Sequence, residues 1–574
     1  MRKLLVVLTL TVTVSIAAGA SGKTTTKHKH AQAAPNPNAV PAEALAAMKT
    51  IDAERIRAHV KFLADDLLEG RGTGQRGGDI AAAYIATQFA LYGLKPAGDG
   101  GSYLQQVPLV GVRTQPETTF TVVPDKGEPM TLRRLEDYVA TDESQQPASD
   151  IEAPIVFVGY GIEAPEFQWD DYKGVDLHGK VLLMLVNEPP SDDPRFFAGK
   201  ALTYYGRWTY KYEEALRRGA VAAVLIHKTE MASYGWDVVR NSWSGENSYL
   251  KAEGPRLKAA GWVSLETGRG IAEAAGQDLD QWLARAHSRD FQPIPLPLTL
   301  KAHMVSKVRS FTSSNVLAVL PGSDPMLRDE AVIYTAHYDH LGIHPDAPGD
   351  NIYNGAMDNG TGCGILLELA RAYGSAAQRP KRSILFASVT AEEQGLRGSE
   401  YLGHHSPIPA GKIALDLNYD NLLALGTAEE VSVPGADRTT FYPIVEATAR
   451  QFELQIRPDP HPESGYYYRS DHFSLARVGV PSFSIKEGEK FKGHTTEWGA
   501  QQNRGYEEKR YHQPSDEYRP EMDFNGDAIM ARFGFVLGWK AANLAAMPSW
   551  RPGDEFEAVR KRSEAAAADQ TSAQ

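Results

Sequence analysis

Three textures of apolar and polar positions succeed one another along the chain. From residue 51 the apolar residues recur with a helical period through IDAERIRAHVKFLADDLLEG, which stops at Gly70, and again through GGDIAAAYIATQFALYGL. The glycine-rich GRGTGQRGG between them predicts a flexible loop. Between about residues 140 and 300 the pattern changes to short β runs (APIVFVGYGI, GKVLLMLV), a helix (KYEEALRRGA) feeding a strand (VAAVLIH), and many aromatic and Gly/Pro turns. That stretch reads as a β-rich module inserted into another domain. After about Val316 the apolar runs AVIYTA, SILFASV, KIALDL and PSFSI show no polar alternation, as parallel strands covered on both faces require. Helix-period segments, GCGILLELARAY and FYPIVEATARQF, separate them. The predicted fold class is α/β, an open, mostly parallel twisted sheet flanked by helices, with the β-rich insert.

Length sharpens the domain picture: 574 residues exceed one ordinary core. The main domain is expected in two parts, 48–139 and 301–548, around an insert at 140–300. Residues 21–47, rich in Thr, Ala, Pro and Asn, are expected to be a disordered leader, and the charged, Ala-rich 549–574 a disordered tail. Arg2 and Lys3, the apolar stretch from Leu4 to about Ala18, and Ala18-Gly19-Ala20 have the arrangement of a cleavable secretory signal over residues 1–20. That apolar run falls short of the ~20 residues a bilayer needs, so no stable anchor is expected after cleavage. The product is expected outside the cytoplasm, periplasmic or secreted.

Charge narrows the partners. The 60 basic and 72 acidic residues give a formal −12 with no long basic run, which argues against nucleic acid, because phosphate neutralisation needs clustered Lys and Arg. The one cysteine, Cys363, excludes an internal disulfide and any thiolate metal site.

Candidate chemistry gathers at the ends of the predicted parallel strands. His337 and Asp339 follow AVIYTA in HYDHLG, Asp358 lies in NGAMDNGTG, Glu392 and Glu393 follow SILFASV in TAEEQG, and Asp420 follows KIALDL in NYDN. Open α/β sheets build their sites beyond the carboxyl ends of the strands, so one pocket can collect all of these side chains. Imidazole and carboxylate ligands suit Zn²⁺ and also admit Mn²⁺ or Co²⁺.

The series HYDHLG, NGAMDNGTG, TAEEQGLRGSEYL, LNYDN and YHQPSD resembles the zinc exopeptidase family of bacterial aminopeptidases, glutamate carboxypeptidase II, glutaminyl cyclase and the transferrin receptor. KFLADDLLEGRGTGQRGG and GLKPAGDGGSYLQQVPL are similar to that family's amino-terminal portion, and the insert resembles a protease-associated domain. The resemblance implies two Zn²⁺ per chain, one held by His337 and Asp420, the other by Glu393 and His512, with Asp358 bridging. It implies that Glu392 is the general base, taking a proton from the water between the metals and passing it to the leaving amine. Asp339 would fix the His337 ring, and Asp516 the His512 ring. Tyr511 resembles the tyrosine that stabilises the tetrahedral intermediate in the carboxypeptidase branch. Ser470 and Asp471, in YYYRSDH, could hold a substrate amine, and Asp416 is the fallback should Asp420 not ligate.

The function implied is an aminopeptidase acting on peptide amino termini. A carboxypeptidase would need a cationic clamp, for which Arg469, Arg477 and Lys486 are near in sequence. A non-catalytic receptor or scaffold is disfavoured, because all five ligands and Glu392 are present. A glutaminyl cyclase reading is weaker, because the insert is foreign to that branch. The insert could restrict access to the pocket, bind partners or support a homodimer.

Overall fold

The computed structural model describes residues 40–572 apart from 233 and 345–348; the expected signal and most of the expected leader lie outside these residues. Strand Ala331–His337 is buried at every position and pairs in parallel with Ser383–Val389 on one side and Ile413–Asn418 on the other. Ser482–Ser484 extends the sheet in parallel beyond Ile413–Asn418. The chain thus leaves Ala331–His337 first to one neighbour and later to the other. This reversal of strand order opens a crevice at the carboxyl ends of the three strands, the place where open α/β sheets bind ligands. The helices Ala53–Leu63, Thr361–Ser375 and Asn525–Asn543 join one core with the sheet. In Thr361–Ser375 twelve of 15 residues are buried, which is why its sequence is apolar around nearly its whole circumference.

The 27-residue strand Ile294–Leu320 joins this half of the molecule to a second. Its carboxyl part pairs antiparallel with Ser383–Val389 and with Leu104–Thr114. Its amino part pairs with Ala148–Phe157 and Thr119–Pro124. Ala148–Phe157 continues in parallel into Val181–Leu185, Ala222–Ile226 and Ala259–Val263, and Tyr138–Thr141 closes the edge antiparallel. These strands have their own apolar clusters, centred on residues such as Phe157, Trp282, Tyr172 and Trp262. The second sheet draws in Thr119–Pro124, which lies ahead of the boundary expected at residue 140.

Three expectations are corrected. The tail is ordered: Glu557–Ser572 is helical, anchored by Trp550 (2% exposed), Phe556 (4%) and Arg560 (0%). The Trp550 indole donates to the Gly479 carbonyl and Arg560 to those of Ala410 and Ile413, contacts that composition alone does not reveal. The leader is helical from Ala42, because Ala44, Ala47 and Met48 are buried in the main core. Finally, GRGTGQRGG is no flexible loop: Gly70, Arg71, Gly72 and Thr73 are buried against the site. Among the described residues no helix is long and apolar enough to cross a membrane.

Candidate active site

The three neighbouring strands deliver His337, Glu392, Glu393 and Asp420 to one crevice, and two connecting segments supply Asp358 and His512. His337 Nε2 lies 3.2 Å from Asp358 Oδ1 and 3.2 Å from Asp420 Oδ1. His512 Nε2 lies 3.3 Å from Asp358 Oδ2 and 3.1 Å from Glu393 Oε2. Asp358 thus gives one oxygen to each cluster. Ligands bound at ~2.0–2.2 Å to one tetrahedral zinc stand about 3.3–3.6 Å apart, since the separation is twice the bond length times the sine of half the tetrahedral angle. The four distances, 3.1–3.3 Å, lie at or just under the short end of that range. Among the described residues the buried His512 Nε2 atom has no hydrogen-bond partner of good geometry. The donor set and its spacing therefore fit two zinc ions sharing Asp358.

The adjacent glutamates separate as their opposed directions demand. A Glu392 oxygen lies within 4.8 Å of the ligand atoms of His337 and Asp420, whereas Glu393 faces Asp358, His340 and His512. Ala391, immediately before them, has a left-handed backbone (φ 55°) that turns the chain sharply off the strand end. Burial raises the Glu392 carboxyl well above the ordinary range; His337 opposes this, and the negative charges of Glu393, Asp420 and Asp471 add to it. Burial would also raise Glu393, but His512 and His340 hold it down to about 2.

Supporting contacts differ in part from expectation. The His337 ring is held through Nδ1 by the backbone carbonyl of Asp339 at 3.1 Å, while the Asp339 carboxylate stands 3.8 Å away. That carboxylate instead accepts hydrogen bonds from the Thr73 hydroxyl (2.8 Å) and from the Glu392 backbone N–H (3.1 Å), so Asp339 orients the residue expected to be the base. Asp516 accepts from the backbone N–H groups of Met357 and Asp358 at 3.1 Å each, positioning Asp358 rather than His512. Ser470 donates to Asp420 Oδ2 at 2.6 Å and so orients that carboxylate. Asp416 is buried inside its strand, bonded to the Thr335 hydroxyl, and takes no part. Tyr511 is 41% exposed and stacks on the His512 ring, centroids 3.9 Å apart. His472 is buried against Tyr467 and, among the described residues, belongs to neither candidate metal group; burial depresses it to about 3.

Two residues went unassigned in the sequence. Arg71 is fully buried and donates to four carbonyls: Tyr338 (2.7 Å), Leu63 (2.5 Å), Asn354 (2.5 Å) and Gly355 (2.8 Å). It thereby clamps the segment after His337 to the one before Asp358. His340, the second histidine of HYDHLG, is buried with Nδ1 2.6 Å from Glu393 Oε1. Its place in that motif was the available signal. Cys363 is buried, its thiol directed at the His337 carbonyl at 3.1 Å.

Residues 315–531, which carry all five candidate ligands and Glu392, match the profile described as Peptidase family M28. This part of the chain is an M28 peptidase domain. The probable leucine aminopeptidase 2 of Aspergillus oryzae is 24% identical over 505 residues, covering 84% of this chain and 86% of that protein. A probable zinc metalloprotease of Pyrenophora tritici-repentis is 32% identical over 183 residues, and there the chain spans 31% of the relative's length. Among solved structures, the aminopeptidase from Aneurinibacillus sp. strain AM-1 is 18% identical with a TM-score of 0.46, covering 86% of this chain and 95% of that one. With its M28 domain and these relatives, the chain is a zinc metallopeptidase.

Proposed function

We propose that the protein is an exported di-zinc exopeptidase, an aminopeptidase that removes residues from the amino termini of peptides. The observation that carries the two-metal reading is the division of Asp358: Oδ1 faces His337, whose Nε2 also adjoins Asp420, while Oδ2 faces His512, whose Nε2 also adjoins Glu393, all at 3.1–3.3 Å. When bound, two zinc ions supply Lewis acidity toward the scissile carbonyl and a nucleophile at neutral pH. Glu392, beside the His337 cluster but outside the 3.1–3.3 Å set, accepts the proton of the attacking water. It returns that proton to the nitrogen as the C–N bond breaks. Asp339 keeps Glu392 in place through its backbone N–H.

The amino-terminal preference is supported by Asp471. Its carboxylate is fully buried, both oxygens lack a hydrogen-bond partner, and it follows Ser470, which touches Asp420. An unpaired carboxylate there suits an incoming α-ammonium group. The similarity to a probable leucine aminopeptidase along most of both chains points the same way. Of the three cations considered for a carboxylate clamp, Arg477 is engaged by Glu213 at 2.8 Å. Arg469 donates to the Ser464 carbonyl at 2.7 Å and lines a cleft with Arg207, Asn187 and Tyr234 that includes none of the candidate ligands, so carboxypeptidase action stands second.

Export is proposed from Arg2, Lys3 and the apolar stretch that follows, and the second sheet is read as a protease-associated module. Amino-acid p-nitroanilides and their N-acetylated, free-carboxyl peptide counterparts separate the two readings. Turnover of the former, abolished by a chelator and restored by zinc, is the expected result; turnover of the blocked peptides alone would favour the carboxypeptidase.

A further inference from the structure

His340 stands beside the second zinc cluster without belonging to the ligand set read from the sequence. Its side chain is fully buried, and its Nδ1 approaches Glu393 Oε1 at 2.6 Å. The other oxygen of that carboxylate, Oε2, faces His512 Nε2 at 3.1 Å. The two oxygens of Glu393 are therefore divided between a ring nitrogen and the metal cluster. A terminal carboxylate torsion is broad and roughly two-fold, so without a partner Glu393 would exchange its oxygens and lose its aim.

We propose that His340 is a positioning residue whose Nδ1–H pins Glu393 Oε1, so that Oε2 alone is presented to the metal centre shared with His512 and Asp358. The assignment rests on the di-zinc reading above. His340 lies close enough to the Asp358 and Glu393 oxygens, within 4.8 Å, to be a candidate ligand, but its 2.6 Å contact is that of a hydrogen bond to an ionised acceptor and is shorter than the roughly 3.3–3.6 Å between ligands of one tetrahedral zinc. The acceptor-only carboxylate requires the proton on Nδ1, which leaves Nε2 as a bare acceptor; that atom is buried and has no partner.

The ring is held from several sides. The His340 backbone N–H donates to the Arg71 carbonyl at 3.2 Å. The His512 ring stands edge-on at 5.7 Å between centroids. A Cβ at Gly355 would come within 2.6 Å of His340 Cγ and would also strike the Asp358 carbonyl oxygen. Only a glycine at 355, with its φ of 62°, lets the imidazole lie flat against the segment leading to Asp358. The NGAMDNG segment therefore seats the positioning ring as well as supplying the bridging ligand.

Partners that orient a metal ligand from outside the coordination shell typically contribute 10–100-fold in metal affinity. The test is an equilibrium competition for zinc against a chromophoric chelator, using the wild-type chain, His340→Ala and His340→Asn. Asparagine carries an amide nitrogen where Nδ1 sits and keeps the donor. The expected result is two zinc ions per wild-type chain, one of them bound 10–100-fold more weakly in His340→Ala and largely restored in His340→Asn. The zinc-free forms of all three should remain cooperatively folded at the assay temperature, which thermal unfolding checks. His340→Ala binding both ions at wild-type affinity, or His340→Asn binding as weakly as His340→Ala, overturns the assignment. A wild-type chain that takes only one zinc overturns the di-zinc reading itself.

Discussion

Replacing Arg71 by methionine removes a buried cation that has no ion-pair partner and four neutral acceptors. Its four bonds run to Leu63, Tyr338, Asn354 and Gly355, three of them in the two segments that carry His337 and Asp358. Hydrogen bonds to a charged group contribute about 1.5–3 kcal/mol each, so four amount to roughly 6–12 kcal/mol. Against this stands the desolvation of the guanidinium, several kcal/mol per buried ion, which the variant recovers. The net loss is on the order of 4 kcal/mol. Methionine keeps the apolar stem but lacks the guanidinium, so the loss combines unsatisfied carbonyls with the cavity left at the end of the side chain. Chemical denaturation of the zinc-free chain measures it, and zinc competition measures the second consequence, weaker metal binding as the two segments drift apart. Arg71→Lys should fall between, because an ammonium cannot span four carbonyls with a planar fork. A loss below about 1 kcal/mol in Arg71→Met, with zinc affinity unchanged, would refute the clamp.

Other consequences can be checked separately. Gly355→Ala should destabilise the chain by about 1–3 kcal/mol and weaken zinc binding, since its Cβ meets the His340 ring and its φ is 62°; thermal unfolding with and without zinc reads both effects. His59, buried between Tyr84 and Tyr92, is depressed by burial to about 4, with nearby Arg371 and Arg55 contributing. The unfolded chain then binds more protons than the folded one between pH ~6.5 and ~4, so this contribution is complete above pH ~6.5 and is lost as pH falls through about 4; the stability difference between wild type and His59→Gln should shrink by about 3 kcal/mol from pH 7 to pH 4. Trp550→Ala should cost about 3–5 kcal/mol and expose the last helix to limited proteolysis, because the indole is 2% exposed and bonded to Gly479.

The parts of this molecule legible in its sequence are those governed by local periodicity and by motif. AVIYTA, SILFASV and KIALDL announced buried parallel strands because both faces are covered, and a residue just past each strand end could be assigned to one crevice without knowing the rest of the fold. The split of Glu392 from Glu393 followed from the opposed directions of neighbouring residues. What escaped was set by long-range contacts between elements distant in sequence. GRGTGQRGG looks mobile by composition, yet Arg71 finds acceptors 267 to 284 residues away. Asp339 and Asp516 bond the backbone N–H groups of Glu392 and of Met357 and Asp358 and not the rings expected, since a short carboxylate can equally reach a ring or a backbone N–H, and only the fold decides. The Ala-rich tail hid three anchors, Trp550, Phe556 and Arg560; Trp550 and Arg560 bond carbonyls of Gly479 and Ile413, over seventy residues upstream.

The account stands most directly on zinc content measured by elemental analysis together with turnover of an amino-acid p-nitroanilide, for the wild-type chain and Glu392→Gln. Two zinc ions per chain in both proteins, with turnover in the wild type only, is the predicted result. One zinc per wild-type chain, or a Glu392→Gln variant that keeps near-wild-type turnover, would contradict it.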